Sequence, residues 1–170
     1  MIYYLGLGTN LGDKELNLKN AIFELGKKAK ILKKSSIYYS KPMGPKNQED
    51  FLNMAVKIEA DLEPLALLEF VKKLEKEMGR IKIKKWGPRI IDIDILFVEG
   101  KEKRKKKKEI FDGGEKLIIP HKGILEREFV LYPLEEIAPG LIAEFFNEKW
   151  EEIIKKAKYK VDLSQTKAII

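Results

Sequence analysis

The sequence predicts an α+β fold, an antiparallel sheet with two helices on one face, extended by C-terminal strand and helix additions. Three observations carry this reading. Apolar and polar residues alternate over 52–60, apolar residues recur at helical spacing over 18–25 and again over 67–78, and the periodic segments follow one another as strand, helix, strand, strand, helix, strand.

Residues 2–7 are strand-like, and Gly8-Thr9-Asn10-Leu11-Gly12 is a turn leading into a helix. Asp13 is its expected N-cap, Leu18, Ala21, Ile22 and Leu25 form its apolar face, and Gly26 stops it. Residues 31–40 and 52–60 read as two strands. In the second, Leu52, Met54, Val56, Ile58 and Ala60 alternate with Asn53, Lys57 and Glu59, the pattern of a half-buried strand. Pro64 opens a second helix with Leu67, Val71, Leu74 and Met78 on one side and Gly79 just past its end. A strand over 90–98 follows. This order matches the ferredoxin-like βαββαβ core. Beyond it, the sequence predicts a short strand over 117–119, a turn over 133–139 and a helix over 148–157 with Trp150, Ile153, Ile154 and Ala157 inward.

A chain of 170 residues suits a single domain, 1–170, that buries roughly 70% of its unfolded surface. The absence of cysteine excludes disulfides and thiolate metal sites. With no signal-like apolar start, and no apolar run near the ~18 residues of a membrane span, a cytoplasmic protein is expected. The net charge of +7 invites a nucleic-acid reading. However, residues 101–108 alone hold seven basic residues and one acid, so a nearly neutral body carries a basic loop insertion. A solvated loop explains it better than an RNA tether.

Asp92 and Asp94 stand two apart in the apolar run 90–98. On a strand they project from the face opposite Ile91, Ile93 and Ile95, with Cα atoms roughly 6.5–7 Å apart, a spacing that can grip one or two hard cations. Arg80, Lys82, Lys84, Lys85 and Arg89 crowd the approach. Carboxylates that hold Mg²⁺ beside cations that neutralise anionic oxygens suit a polyphosphate, and Gly87-Pro88 forms a turn that aims Trp86 and Arg89. Gly6-Leu7-Gly8-Thr9-Asn10-Leu11-Gly12 departs from the dinucleotide fingerprint, its third glycine falling one place late, so these glycines are read as backbone turns. Asn10 is expected in an Asx-turn. His121, the single histidine, has no partner for a zinc site, and phosphate hydrogen bonding is its best functional role. Phe51 and Asn53 share the strand face away from the core, where a ring beside an amide can hold a flat heterocycle.

Lys85-Trp86-Gly87-Pro88-Arg89-Ile90-Ile91-Asp92-Ile93-Asp94-Ile95-Leu96 resembles the signature stretch of the 6-hydroxymethyl-7,8-dihydropterin pyrophosphokinases of folate biosynthesis. Similar family features run through Leu7 to Gly12, Ser35-Ser36-Ile37-Tyr38, Pro42-Met43-Gly44-Pro45, Phe51-Leu52-Asn53, Pro120-His121 and Pro133-Leu134. The resemblance implies transfer of pyrophosphate from ATP to the pterin hydroxymethyl oxygen, with release of AMP. It implies two Mg²⁺ ions on Asp92 and Asp94, and catalytic contacts from Arg80, Arg89, Asp92 and Asp94. By the same resemblance ATP is bound by Glu75, Arg80, Lys82, Lys85, Trp86, Arg89, Ile95, His121 and Arg127. The pterin is bound by Ser40, Met43, Gly44, Phe51, Asn53 and Phe129. Whether Lys82 or Lys84 takes the phosphate contact is left open by a segment one residue shorter than in some relatives. ATP and the pterin are the expected partners, with no membrane or nucleic acid and a monomer favoured. A ferredoxin-like RNA-binding module is the competing reading, against which the paired aspartates speak because they would repel phosphate without metal. Two-metal phosphodiester hydrolysis lacks a third carboxylate beside the pair.

Overall fold

The structure is a computed structural model that describes residues 1–79, 87–99, 108–112 and 115–168. Most of the expected basic insertion, 101–107, lies outside the described residues. No helix among those described is long and apolar enough to cross a membrane.

Strand β1 (Ile2–Thr9) leads into α1 (Lys14–Gly26), whose N-cap Asp13 accepts from Leu16 N–H at 3.1 Å. Two strands follow where one was expected, β2 (Lys30–Lys34) and β3 (Ile37–Ser40). The break has a local cause. Ala55 N–H donates to the Ser35 hydroxyl at 2.9 Å, so a side chain takes the place of a backbone acceptor in the ladder. Strand β4 (Phe51–Glu59), α2 (Pro64–Glu77) and β5 (Asp92–Glu99) complete the predicted core. The sheet order is β5-β1-β4-β3, with β2 also on β4, and all these pairings are antiparallel.

One sheet face carries Tyr3, Leu5, Leu7, Met54, Val56, Ile58, Ile93 and Ile95, packed against Leu18, Ala21 and Leu25 of α1 and Leu67, Val71 and Leu74 of α2. The two predicted helices therefore share one face. The other face is covered in part, because the C-terminal third folds back over it. Strands β6 (Lys108–Asp112) and β7 (Glu115–Ile119) form a hairpin, followed by α3 (Glu128–Ile137), α4 (Leu141–Phe146), α5 (Trp150–Lys156) and β8 (Val161–Lys167), which adds to β3. Leu131, Leu134, Ile137, Ile142 and Ile153 seal Tyr4, Ala55, Leu96 and Phe97 into a second core. Strand β4 is thus buried on both faces rather than one.

The turn expected over 133–139 is replaced as far as Ile137 by α3. Pro133 lies inside this helix and is itself buried, and packing of Leu131 and Leu134 outweighs the lost N–H donor.

Candidate active site

The second sheet face is left open at one end, and a cavity of about 280 Å³ occupies the gap. Its floor is set by strand register. Gly8 of β1 pairs with Asp92 on one side and Asn53 on the other, and Gly6 pairs with Asp94 and Ala55. Side chains two apart share a face, so Gly6 and Gly8 leave bare backbone between the carboxylates of β5 and the amide of β4. These glycines lie within β1, correcting the turn expected of them. Their spacing of two was the legible signal.

At the β5 end, Asp92 forms an ion pair with Arg89, and His121 Nε2 stands 3.8 Å from an Asp94 oxygen. A β-bulge helps to place the histidine. Tyr4 pairs with Phe97 and Leu5 with Ile95, so Leu96 is an extra residue in β5, and its carbonyl accepts from His121 N–H at 2.9 Å. Gly123 N–H donates to His121 Nδ1 at 3.2 Å, which leaves the proton of the neutral ring on Nε2, toward Asp94. Burial lowers the His121 pKa; Asp94 and Asp92 oppose that shift, while Arg127 and Lys122 reinforce it.

Strand β5 is held from behind. Among the described residues it pairs only with β1, and the Ile93 N–H and C=O point off its free edge. Glu75, 2% exposed, accepts from Ile93 N–H at 2.6 Å, and Lys72 donates to Ile93 C=O at 3.1 Å and to Glu75 at 3.0 Å. A helical ion pair thus satisfies the strand edge next to both aspartates.

At the other end, Asn53 lies on the sheet face away from the α1 and α2 core, as expected, but is 5% exposed because the C-terminal third covers that face. Its Nδ2 donates to Tyr38 C=O at 3.2 Å and to Ser40 Oγ at 2.9 Å, and its Oδ1 lies above Gly8. Phe51, Ser40, Met43, Gly44 and Phe129 line the same cavity.

Asn10 joins the two ends. It is 1% exposed; its Oδ1 accepts from Arg89 N–H at 2.8 Å, while Nδ2 donates to Gln48 Oε1 and Glu49 C=O, both at 3.0 Å. It is a clamp between two loops rather than an Asx-turn. Asn10→Ala would remove the buried centre of these contacts and leave half-buried partners unpaired, and a loss of about 1–2 kcal/mol is expected in thermal or urea unfolding, with faster proteolysis of the 41–50 loop. Unchanged stability and cleavage would refute the clamp.

Of the residues singled out in the sequence, the cavity brings together Arg89, Asp92, Asp94, His121, Arg127, Ser40, Met43, Gly44, Phe51, Asn53 and Phe129. Glu75 and Ile95 are buried and are not among its lining residues. Arg80, Lys82, Lys85 and Trp86 lie outside the described residues. The lining also includes Lys72, which the family resemblance places near the adenosine, and Leu96, Lys122 and Val130, to which the sequence reading gives no role. Leu96 follows Asp92 and Asp94 by twos and its side chain stands over Gly6, while Val130 is brought here by α3. Among the described residues no cluster of three or more His, Cys, Asp and Glu side chains could hold a metal. The oxygen donors of Asp92 and Asp94 fit Mg²⁺, which is commonly held by one or two carboxylates and completed by substrate phosphates and water.

Paired carboxylates with Arg89 and His121 beside them, and Arg127 lining the same cavity, are the equipment of a phosphoryl-transferring enzyme, in which positioning and charge neutralisation dominate. Comparison with known proteins makes this specific. The chain belongs to the 7,8-dihydro-6-hydroxymethylpterin-pyrophosphokinase family, whose model matches residues 4–139. It is 42% identical over 141 residues to the 2-amino-4-hydroxy-6-hydroxymethyldihydropteridine pyrophosphokinase of Methylorubrum extorquens, covering 82% of this chain and 84% of that protein. It is 40% identical over 164 residues to the bifunctional protein FolKE of Lactococcus lactis subsp. cremoris, covering 95% of this chain but 43% of that one. A crystal structure of a Plasmodium falciparum HPPK-DHPS variant with pteroate shares the fold, with a TM-score of 0.65 at 18% identity, covering 91% of this chain and 42% of that one.

Proposed function

We propose that the protein transfers the pyrophosphoryl group of ATP to the hydroxymethyl oxygen of 6-hydroxymethyl-7,8-dihydropterin, giving AMP and the pterin diphosphate in folate biosynthesis. The observation that carries this reading is the row Asp92, Gly8, Asn53 across three paired strands, with a carboxylate at one end and a buried amide beside an aromatic ring at the other. Family membership supplies the substrates.

In this reading Asp92 and Asp94 hold two Mg²⁺ ions, which when bound neutralise charge on the triphosphate oxygens. Arg89 leaves Asp92 for phosphate as the nucleotide enters, and Arg127 and His121 Nε2–H donate to the remaining oxygens. Arg80, Lys82, Lys85 and Trp86 complete the nucleotide contacts. Both Nδ2 protons of Asn53 are already given to Tyr38 and Ser40, so its Oδ1 is the group left to accept from the donor edge of the pterin. Phe51 and Phe129 supply flat apolar surface for the ring, and the backbone around Ser40, Met43 and Gly44 meets its other edge. Direct transfer between two substrates bound side by side needs no covalent intermediate. Lack of cysteine fits a cytoplasmic setting.

The test is the nucleotide product. Purified protein with Mg²⁺, ATP and hydroxymethyl-dihydropterin is expected to release AMP in step with pterin diphosphate. Release of ADP, or no nucleotide product, would sink the assignment.

A further inference from the structure

The segment carrying Arg127 and Phe129 is held by a part of the chain beyond the residues matched by the family model. Lys158 N–H and Tyr159 N–H both donate to Glu126 C=O, at 2.9 and 3.0 Å, and Glu128 N–H donates to Tyr159 C=O at 2.8 Å. Arg127 and Tyr159 form a parallel bridge. The Glu128 carboxylate, on a residue 7% exposed, accepts from Val161 N–H at 3.0 Å and Lys160 Nζ at 2.8 Å. Residues 158–161 therefore form a strap across residues 126–128, immediately before Phe129.

Arg127 depends on that backbone for its aim. Its Nε is buried with no hydrogen-bond partner among the described residues, and its guanidinium lies against Gly123, where an added Cβ would stand 2.9 Å from Cζ. Side-chain bonding at Nε does not fix the orientation, so the position of residue 127 matters directly.

We infer that the strap and the Glu128 carboxylate are a positioning device for Arg127 and Phe129, tuning the grip on both substrates from outside the cavity. The inference rests on the reaction proposed above.

Steady-state kinetics of Glu128→Ala, Glu128→Gln and Glu135→Ala test it. Glu135, in the last turns of the same helix, ties it to the start of α4 by accepting from Gly140 N–H at 3.0 Å, and serves as the stability control. Glu128→Ala is expected to raise KM for ATP and for the pterin about five- to tenfold with kcat within about twofold, and Glu128→Gln to recover most of the loss. Glu135→Ala should lower Tm without moving either KM. KM values unmoved by Glu128→Ala, or moved equally by Glu135→Ala, overturn the inference. If Glu128→Ala does not fold, Lys160→Met removes only the exposed partner; a rise of about two- to threefold in both KM values supports the strap and no rise overturns it. Failure of the parent protein to release AMP overturns the reaction and this inference with it, whereas AMP release with unmoved KM values overturns this inference alone.

Discussion

Asp92→Asn and Asp94→Asn are each expected to cut AMP release at least ~10³-fold while leaving the fold intact, because each removes a charge on which transition-state neutralisation depends. Both side chains face the cavity, with exposures of 21% for Asp92 and 34% for Asp94, so neither substitution disturbs packing. Asp92→Asn also loses its pairing with Arg89, a partly exposed contact worth no more than about 1 kcal/mol. Single-turnover AMP release and thermal unfolding read the two effects separately. Activity within tenfold of the parent in either variant would remove that carboxylate from the metal site.

The second large effect is on stability. Glu75→Ala would leave the Ile93 N–H without its acceptor and Lys72 without its carboxylate, at an edge where, among the described residues, no further strand supplies a substitute. Glu75 is buried but Lys72 is 35% exposed, so the cost is that of a stranded buried N–H with a partly screened charge beside it, roughly 2–4 kcal/mol. For a chain of this size that corresponds to a fall in Tm on the order of 10 °C. Glu75→Gln keeps an acceptor for the Ile93 N–H and should lose markedly less. Equal losses from the two substitutions would show that the charge, which both remove, rather than the hydrogen bond to the strand edge, sets the cost.

Much of this molecule is legible in its sequence. The alternation in β4, the capping Asp13 and the helix-opening Pro64 are local signals, and each lies where its chemistry demands. Asp92 and Asp94 were conspicuous because charge in an apolar strand has to face something. What could not be read depends on contacts distant in sequence. Pro133 argued for a turn, yet buried neighbours keep it in a helix. Gly6 and Gly8 looked like turn residues because nothing local shows that a carboxylate strand and an amide strand flank them. Strand β8 lacked alternation, being exposed along most of its length, and only the edge of β3 gives it a place. Asn10 and Glu128 serve partners 38 and 33 residues away, a reach that sequence periodicity does not encode.

The bare strand in the middle of the site has a further meaning. Neighbouring strands sit about 4.8 Å apart, so the carboxylate row and the amide row are separated by roughly 10 Å of hydrogen-bonded ladder. Loops can close or open around that interval without altering it, because the sheet cannot stretch. The protein in effect carries a ruler, and chemical reach becomes a criterion of selection alongside shape. An acceptor that satisfies Asn53 and the aromatic rings but whose arm ends about 1 Å too far could bind well and still react about a hundredfold more slowly.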